Sequence, residues 1–382
     1  MSYKKHYSRF LKGLGGKLHF AAHSHHAWPD CTRDAALKCW DDAAERIDAK
    51  WDVIFGPVVE SAQSSIAASI GWPDPAWIAF APNTHEFVLR LLSCLPPGRP
   101  PRILTSDSEF HSFARQIARL EEDGAKVARV SVEPFDSFAS RLAKEAKSGA
   151  YDLVFVSQVF FNSGLRLKDE ELERISKAAG RALVAFDGYH AFMAVPTDLR
   201  RIARKAFYLA GGYKYAQAGE GACFLAIPPG CGLRPANTGW FADFSALESG
   251  IKAPVGYGEK AYRFMGATFD ASGLYRLNAV YALRRSLRLS VAKSDAYVRA
   301  LQRGFIRRLR SRGPLDANAL ITADLSRIGH FLTFRVPNAG EIKDALAKKG
   351  VLVDSRGDRL RFGFGLYQDE RDLDELFQRI GR

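Results

Sequence analysis

Short apolar and β-branched runs alternate with helical stretches through the middle of the 382-residue chain, and this alternation narrows the possible folds more than any other feature. Seven runs read as strands, at 78–81, 102–105, 126–130, 152–157, 182–186, 206–209 and 223–227. Helical patterns lie between them at 85–95, 112–122, 137–147 and 170–179. Strands separated by helices of about 10–15 residues predict an α/β fold with a mostly parallel seven-stranded sheet and helices on both faces. Ligands in such sheets sit at the carboxyl ends of the strands, so residues just past those ends are the first candidates for chemistry.

The chain is too long for one ordinary core. Its pattern changes after residue 275. A basic stretch from Arg284 to Arg312 carries Leu287, Leu289, Val291, Val298, Leu301 and Phe305 at helical spacing, which predicts one long helix with a solvated basic face. A strand at 330–336, a helix at 341–349, a strand at 359–364 and a helix at 370–380 follow. The expected organisation is a large domain over 51–275, a smaller α+β domain over 276–382, and a segment 1–50 that packs on the small domain or across a dimer.

A net charge of +13 raises the question of nucleic acid. The basic residues are spread widely, however, and neither an aromatic-basic RNA motif nor a helix-turn-helix pattern accompanies them, so no nucleic-acid partner is expected. The same positive field favours small anionic ligands, a phosphorylated cofactor among them. No run of about 18 apolar residues predicts a membrane span, and the first twenty residues lack the apolar run of a signal peptide. Five cysteines, odd in number and without C-x-x-C spacing, fit a reducing cytoplasm and indicate neither a disulfide framework nor a zinc site.

The strongest local signal is Tyr208-Leu209-Ala210-Gly211-Gly212-Tyr213-Lys214-Tyr215, an apolar strand ending in two glycines and a lysine. A lysine among apolar and aromatic neighbours at a strand's carboxyl end loses proton affinity and becomes a competent amine nucleophile. Asp187 follows another strand directly in Ala185-Phe186-Asp187-Gly188-Tyr189-His190. A carboxylate there can cap a helix, or it can hold the protonated ring nitrogen of pyridoxal phosphate. Pro82-Asn83-Thr84-His85 follows a third strand and opens a helix, a place that serves equally as an N-cap and as an anion site. His23, His25 and His26 fall within four residues; no Cys/His/Asp cluster downstream completes a metal site, and a substrate-lining loop or a surface loop is expected instead.

The chain resembles the class V aminotransferase group of fold-type I pyridoxal-phosphate enzymes, and within it kynureninase. The motifs that carry the resemblance are the Asp187-x-x-His190 segment running on to Pro196-Thr197-Asp198-Leu199, then Tyr213-Lys214-Tyr215, Gly239-Trp240-Phe241, and Arg361-Phe362-Gly363-Phe364-Gly365-Leu366-Tyr367. The resemblance implies a fold-type I architecture and pyridoxal 5'-phosphate held as a Schiff base on Lys214. It implies that Asp187 pairs with the ring nitrogen beside His190, that Phe110 stacks on the ring, and that Thr84, His85 and Tyr213 bind the phosphate. Trp240 and Thr268 would reach across from a second subunit of a homodimer with shared sites. Arg361 would grip the carboxylate of an amino-acid substrate, Tyr213 would relay protons, and His23 and His25 would lie near the substrate. The chain departs from the kynureninase pattern at Phe113, where an acidic residue is usual, at His23-Ser24-His25-His26, and at Gly266-Ala267-Thr268-Phe269.

The implied reaction is hydrolytic Cβ–Cγ cleavage of kynurenine or a related aryl-keto amino acid, giving an aromatic acid and alanine. The alternatives are a class V aminotransferase or a β-lyase on another amino acid, since the same residues serve all three. Desulfuration requires a nucleophilic cysteine in the last third of the chain, where there is none after Cys231. A non-catalytic pyridoxal-phosphate-binding protein is the reading from a different class.

Overall fold

The computed structural model describes residues 2–250, 253–309 and 315–381. Twelve strands occur among them: β1 (Leu18–His19), β2 (Ile78–Ala81), β3 (Arg102–Ser106), β4 (Lys126–Val130), β5 (Leu153–Ser157), β6 (Leu183–Asp187), β7 (Ala206–Ala210), β8 (Cys223–Ala226), β9 (Phe331–Arg335), β10 (Val351–Leu352), β11 (Asp354–Arg356) and β12 (Arg359–Gly363). Strands β2 to β8 form one sheet in the order β2-β8-β7-β6-β5-β3-β4. Pairs β3/β4, β3/β5, β5/β6 and β6/β7 are parallel, and β8 runs antiparallel between β7 and β2.

The sheet is covered on both faces. Ile78, Phe80, Val154, Val156, Val184, Phe186 and Tyr208 belong to one apolar core. Ala79, Ala81, Ile103, Leu153, Phe155, Ala185 and Leu209 belong to the core on the other side. This is the period-two alternation of a strand with two buried faces, and it explains why these strands read as nearly continuous apolar runs.

The smaller sheet, β11-β12-β9, is antiparallel. The N-terminal segment joins it: β1 pairs in parallel with β10, and Ala21 bridges to Gly363. The helix Cys31–Arg46 instead packs on the helix Ser272–Ser286. One helical run among the described residues, Cys31–Ile70, is long and apolar enough to cross a membrane by length and composition alone. It is interrupted at Ile47, whose φ is 51°, and at the non-helical Gly56, and its Ala62, Ile66 and Ile70 are buried in the core.

The single basic helix expected from Arg284 onward is two helices, Ser272–Ser286 and Val291–Arg308. Arg288 turns left-handed between them, and the Ser290 hydroxyl accepts a hydrogen bond from the Lys293 amide to start the second. Nor are all its cations solvated. Arg284 is buried and donates to the Ser294 hydroxyl, while buried Arg299 donates to the carbonyls of Ile328 and Gly329. Arg310 and Arg312 lie outside the described residues.

Candidate active site

The carboxyl ends of β2, β3, β5, β6 and β7 open onto one cavity of about 690 Å³. Each strand delivers a different chemical group to it. After β2, the Asn83 side chain accepts from the Glu86 amide at 3.1 Å, so the helix Thr84–Leu92 begins at the strand end. A helix start of this kind, with N–H groups that lack partners within the helix, favours an anion. Thr84 and His85 line the cavity there, and the buried His85 Nδ1 has no hydrogen-bond partner among the described residues.

After β3 comes Phe110, a wall of the cavity, positioned by its neighbour Glu109. The buried Glu109 carboxylate accepts from the hydroxyls of Ser106 and Ser157 at 2.5 and 2.6 Å and from the Ser157 amide. It thereby ties the end of β3 to the end of β5. Burial pushes its carboxyl up to about 7, against the pull of the serine hydrogen bonds.

After β6, Asp187 enters the cavity with one carboxylate hydrogen bond among the described residues, from the Tyr189 amide at 2.8 Å. Burial raises its pKa, with Lys214 opposing. Gly188 has no substitute here, because a Cβ would overlap the Tyr208 hydroxyl, itself bonded to Gln158 Oε1 at 2.7 Å.

After β7, Lys214 is buried with its Nζ 2.7 Å from His190 Nε2. Three rings surround the amine: Tyr189, Phe110 and Tyr213, with centroids at 4.9, 5.3 and 5.6 Å. Burial holds the amine well below a lysine's ordinary range; Asp187 pulls it back up and Arg361 pushes it down. His190 is driven far below 6.5 by burial and by the positive charges of Lys214 and Arg361, so it is a neutral imidazole. A weakly basic amine beside a neutral imidazole is poised to attack a carbonyl and to exchange protons near neutral pH.

The remaining expected residues are placed differently. Arg361 is buried and reaches the cavity edge by donating from Nη1 to the carbonyl of Phe161, a lining residue. His23, expected on a substrate-lining loop, is fully buried behind Arg361 and stacked on Phe331 at 4.5 Å. It is held there because Gly363 leaves room for its ring. His25 lies on the outside of Tyr213, their rings stacked at 5.8 Å, with Nδ1 3.9 Å from Glu220. His26 turns inward, donating from Nδ1 to its own neighbour Ala27. Trp240 donates from Nε1 to the Thr268 hydroxyl at 3.2 Å, and neither residue is among those lining this chain's cavity. Among the described residues no three His, Cys, Asp or Glu side chains are grouped to hold a metal.

The family model described as "Aminotransferase class-V" matches residues 50–376. The chain belongs to the class-V aminotransferase family. Solved structures of similar fold include a lysine-to-alanine mutant of C-DES with glycine covalently linked to its pyridoxal-phosphate cofactor (TM-score 0.82, 18% identity, covering 100% of this chain and 99% of that one). A cysteine desulfurase from Thermococcus onnurineus NA1 matches with TM-score 0.77 and 18% identity, covering 95% and 94%. Escherichia coli CsdA, also a cysteine desulfurase, matches with TM-score 0.79 and 16% identity, covering 100% and 97%. Likeness at these identities establishes the fold, and it does not carry the expected kynureninase kinship with it. Among curated proteins no sequence match is found.

The cofactor of this class-V enzyme is pyridoxal phosphate, and its residues fit that group. Among the described residues, a buried carboxylate with a single hydrogen bond, a weakly basic buried amine, a helix N-terminus and a His85 nitrogen without a partner face one cavity. These are respectively an acceptor for a ring N–H, an amine for an aldehyde, and donors for a phosphate. Sequence reasoning did not single out Glu109, Tyr189, Phe161 or Asp354, which owe their places to strand ends and register and not to a local motif.

Proposed function

We propose that this enzyme is a β-lyase that cleaves a Cβ–heteroatom bond, carbon–sulfur above all, in a small amino acid. The observation that carries the reading is the combination of Lys214, His190 and Asp187 at one cavity with no cysteine among its lining residues. The chain's last cysteine is Cys231. A desulfurase passes sulfur to a cysteine of its own; without one, the leaving group departs as a free small molecule. The similar fold of a protein described as a cystine C-S lyase supports the same reading.

When bound, pyridoxal phosphate supplies an electron sink that acidifies the substrate Cα–H. Lys214 would hold the cofactor, and the amine it regains when substrate binds would take the Cα proton. Asp187 would keep the ring nitrogen protonated, its own charge stabilised by that partner. Phe110 would cover one ring face, and Thr84, His85 and Tyr213 would hold the phosphate. His190, neutral and within hydrogen-bond distance of Lys214, would take or return the lysine's proton. Arg361 would bind the α-carboxylate, its planar guanidinium matching that group. Trp240 and Thr268 would complete the site from a partner copy in a homodimer.

Hydrolytic kynurenine cleavage is the second reading. It is favoured by the Asp187 to Leu199 segment, Tyr213-Lys214-Tyr215, Gly239-Trp240-Phe241 and the Arg361 to Tyr367 segment. The test incubates the loaded enzyme with L-cystine, L-cysteine and L-kynurenine. Pyruvate and ammonia, with sulfide from L-cysteine or cysteine persulfide from L-cystine, support the lyase; anthranilate with alanine would replace it by the hydrolase. Neither product, with the visible cofactor band intact, would overturn both.

A further inference from the structure

Arg361 and Asp354 face each other directly across the β11/β12 pair. Their side chains form an ion pair between Nη2 and Oδ2 at a place where Arg361 is only 2% exposed. The opposite terminal nitrogen, Nη1, donates to the Phe161 carbonyl on the large domain. The guanidinium is thus gripped on two sides, yet its Nε is buried and has no partner among the described residues. An unused buried donor is costly, and an arriving anion relieves that cost.

Asp354 is itself held firmly. Its Oδ1 accepts from the Ser355 amide and from Arg356 Nη1, each at 2.7 Å, and its Oδ2 also accepts from the Ser24 hydroxyl. His23 Nε2 lies 3.8 Å away. The carboxylate therefore keeps its place through donors other than Arg361, and the guanidinium is fitted against it. Arg361 also lies near enough to influence the charge of Lys214, His190 and His23.

We propose that Asp354 is a positioning residue for substrate recognition: it holds Arg361 at the cavity edge, where the guanidinium meets the α-carboxylate. The proposal rests on the reading of Arg361 as the carboxylate-binding residue. It assigns Asp354 a part in binding amino acids and none in binding amines that lack a carboxylate.

The test is a spectral titration of the pyridoxal-phosphate-loaded enzyme with L-alanine and with ethylamine, which is alanine without its carboxylate. The ratio of the two affinities isolates the carboxylate contact from any general damage. Asp354→Asn is expected to lower that ratio at least tenfold, the loss of a charge-assisted hydrogen bond, with ethylamine binding and the visible band retained; the thermal midpoint falls, because Arg361 loses its buried counter-charge. An unchanged ratio, or equal weakening of both ligands, would overturn the proposal. Arg361→Gln separates the two layers of reasoning. If it leaves the ratio unchanged, the reading of Arg361 fails and the proposal with it; if it collapses the ratio while Asp354→Asn does not, the role of Asp354 alone fails. Should Asp354→Asn not fold, Ser24→Ala removes one of the donors that hold the carboxylate; the ratio should fall about threefold, and no change would again refute the idea.

Discussion

Acid should unfold this enzyme through its desolvated histidines before its carboxylates are protonated. His26 is buried and His19 half-buried, both beside Tyr367, and desolvation pushes them from 6.5 down to about 3 and about 4 respectively. Their folded pKa values are depressed, so the unfolded chain binds more protons than the folded one below 6.5. The stability due to keeping the rings neutral is full above pH 6.5 and drains as pH falls toward those lower values. At pH 5 each ring is still neutral in the fold while its unfolded counterpart is mostly charged. A gap of about 1.5 pH units at about 1.4 kcal/mol per unit gives about 2 kcal/mol for each histidine, or about 4 kcal/mol together. Set against a typical total of about 5–15 kcal/mol, that is a large loss. Glu109 works in the opposite direction, since its raised pKa favours the fold as pH falls. It is common to parent and variant and cancels between them. The assay is urea denaturation of the loaded enzyme at about pH 7.5 and pH 5, for the parent and for a His19→Gln/His26→Gln double variant. The parent should lose about 4 kcal/mol more between the two conditions than the variant does. Equal losses would refute the reasoning, whatever the absolute stability of the variant.

Other outcomes are equally open to measurement. Lys214→Ala should abolish the visible band of the bound cofactor and all turnover; a retained band would remove Lys214 from its role. Because burial lowers the Lys214 pKa, the rate at which apoenzyme takes up pyridoxal phosphate should level off below about pH 9, whereas an ordinary lysine would keep gaining up to about pH 10 or higher. A rate still climbing beyond that point would contradict the depressed pKa. Gly188→Ala forces a methyl group onto the Tyr208 hydroxyl and should cost about 2–3 kcal/mol of stability, read from a denaturant midpoint. A neutral substitution would mean that the Tyr208–Gln158 contact yields freely.

The parts of this molecule legible in its sequence are those that depend on neighbours along the chain. Alternating apolar runs marked the seven strands of the main sheet, and the residue just past a strand's end is a local property, so Lys214, Asp187 and Thr84 stood out. Asp354 did not, because its importance lies in facing Arg361 across two strands, and register is invisible to a reading of composition and spacing. His23 was misplaced for a related reason. Its loop is polar in sequence, but Gly363 and Phe331, more than three hundred positions later, provide the slot that buries it. The basic stretch after Arg284 concealed a break at Arg288 whose one local sign was Ser290, a good N-cap. Arg284 and Arg299 went inside because carbonyl and hydroxyl partners awaited them, which charge patterning does not reveal.

The pairing of β1 with β10 has a bearing on how the enzyme comes into being. Leu18 hydrogen-bonds through its amide to the Gly350 carbonyl, Gly363 to the Phe20 carbonyl, and Lys4 forms ion pairs with Asp369 and Asp372. Residues 4–20 thus wait, during synthesis, for partners that lie beyond residue 349. Lys214 and Asp187 belong to the seven-stranded sheet, which is synthesised well before Arg361 on β12. On the proposed roles of these residues, substrate recognition would wait until β1 meets β10.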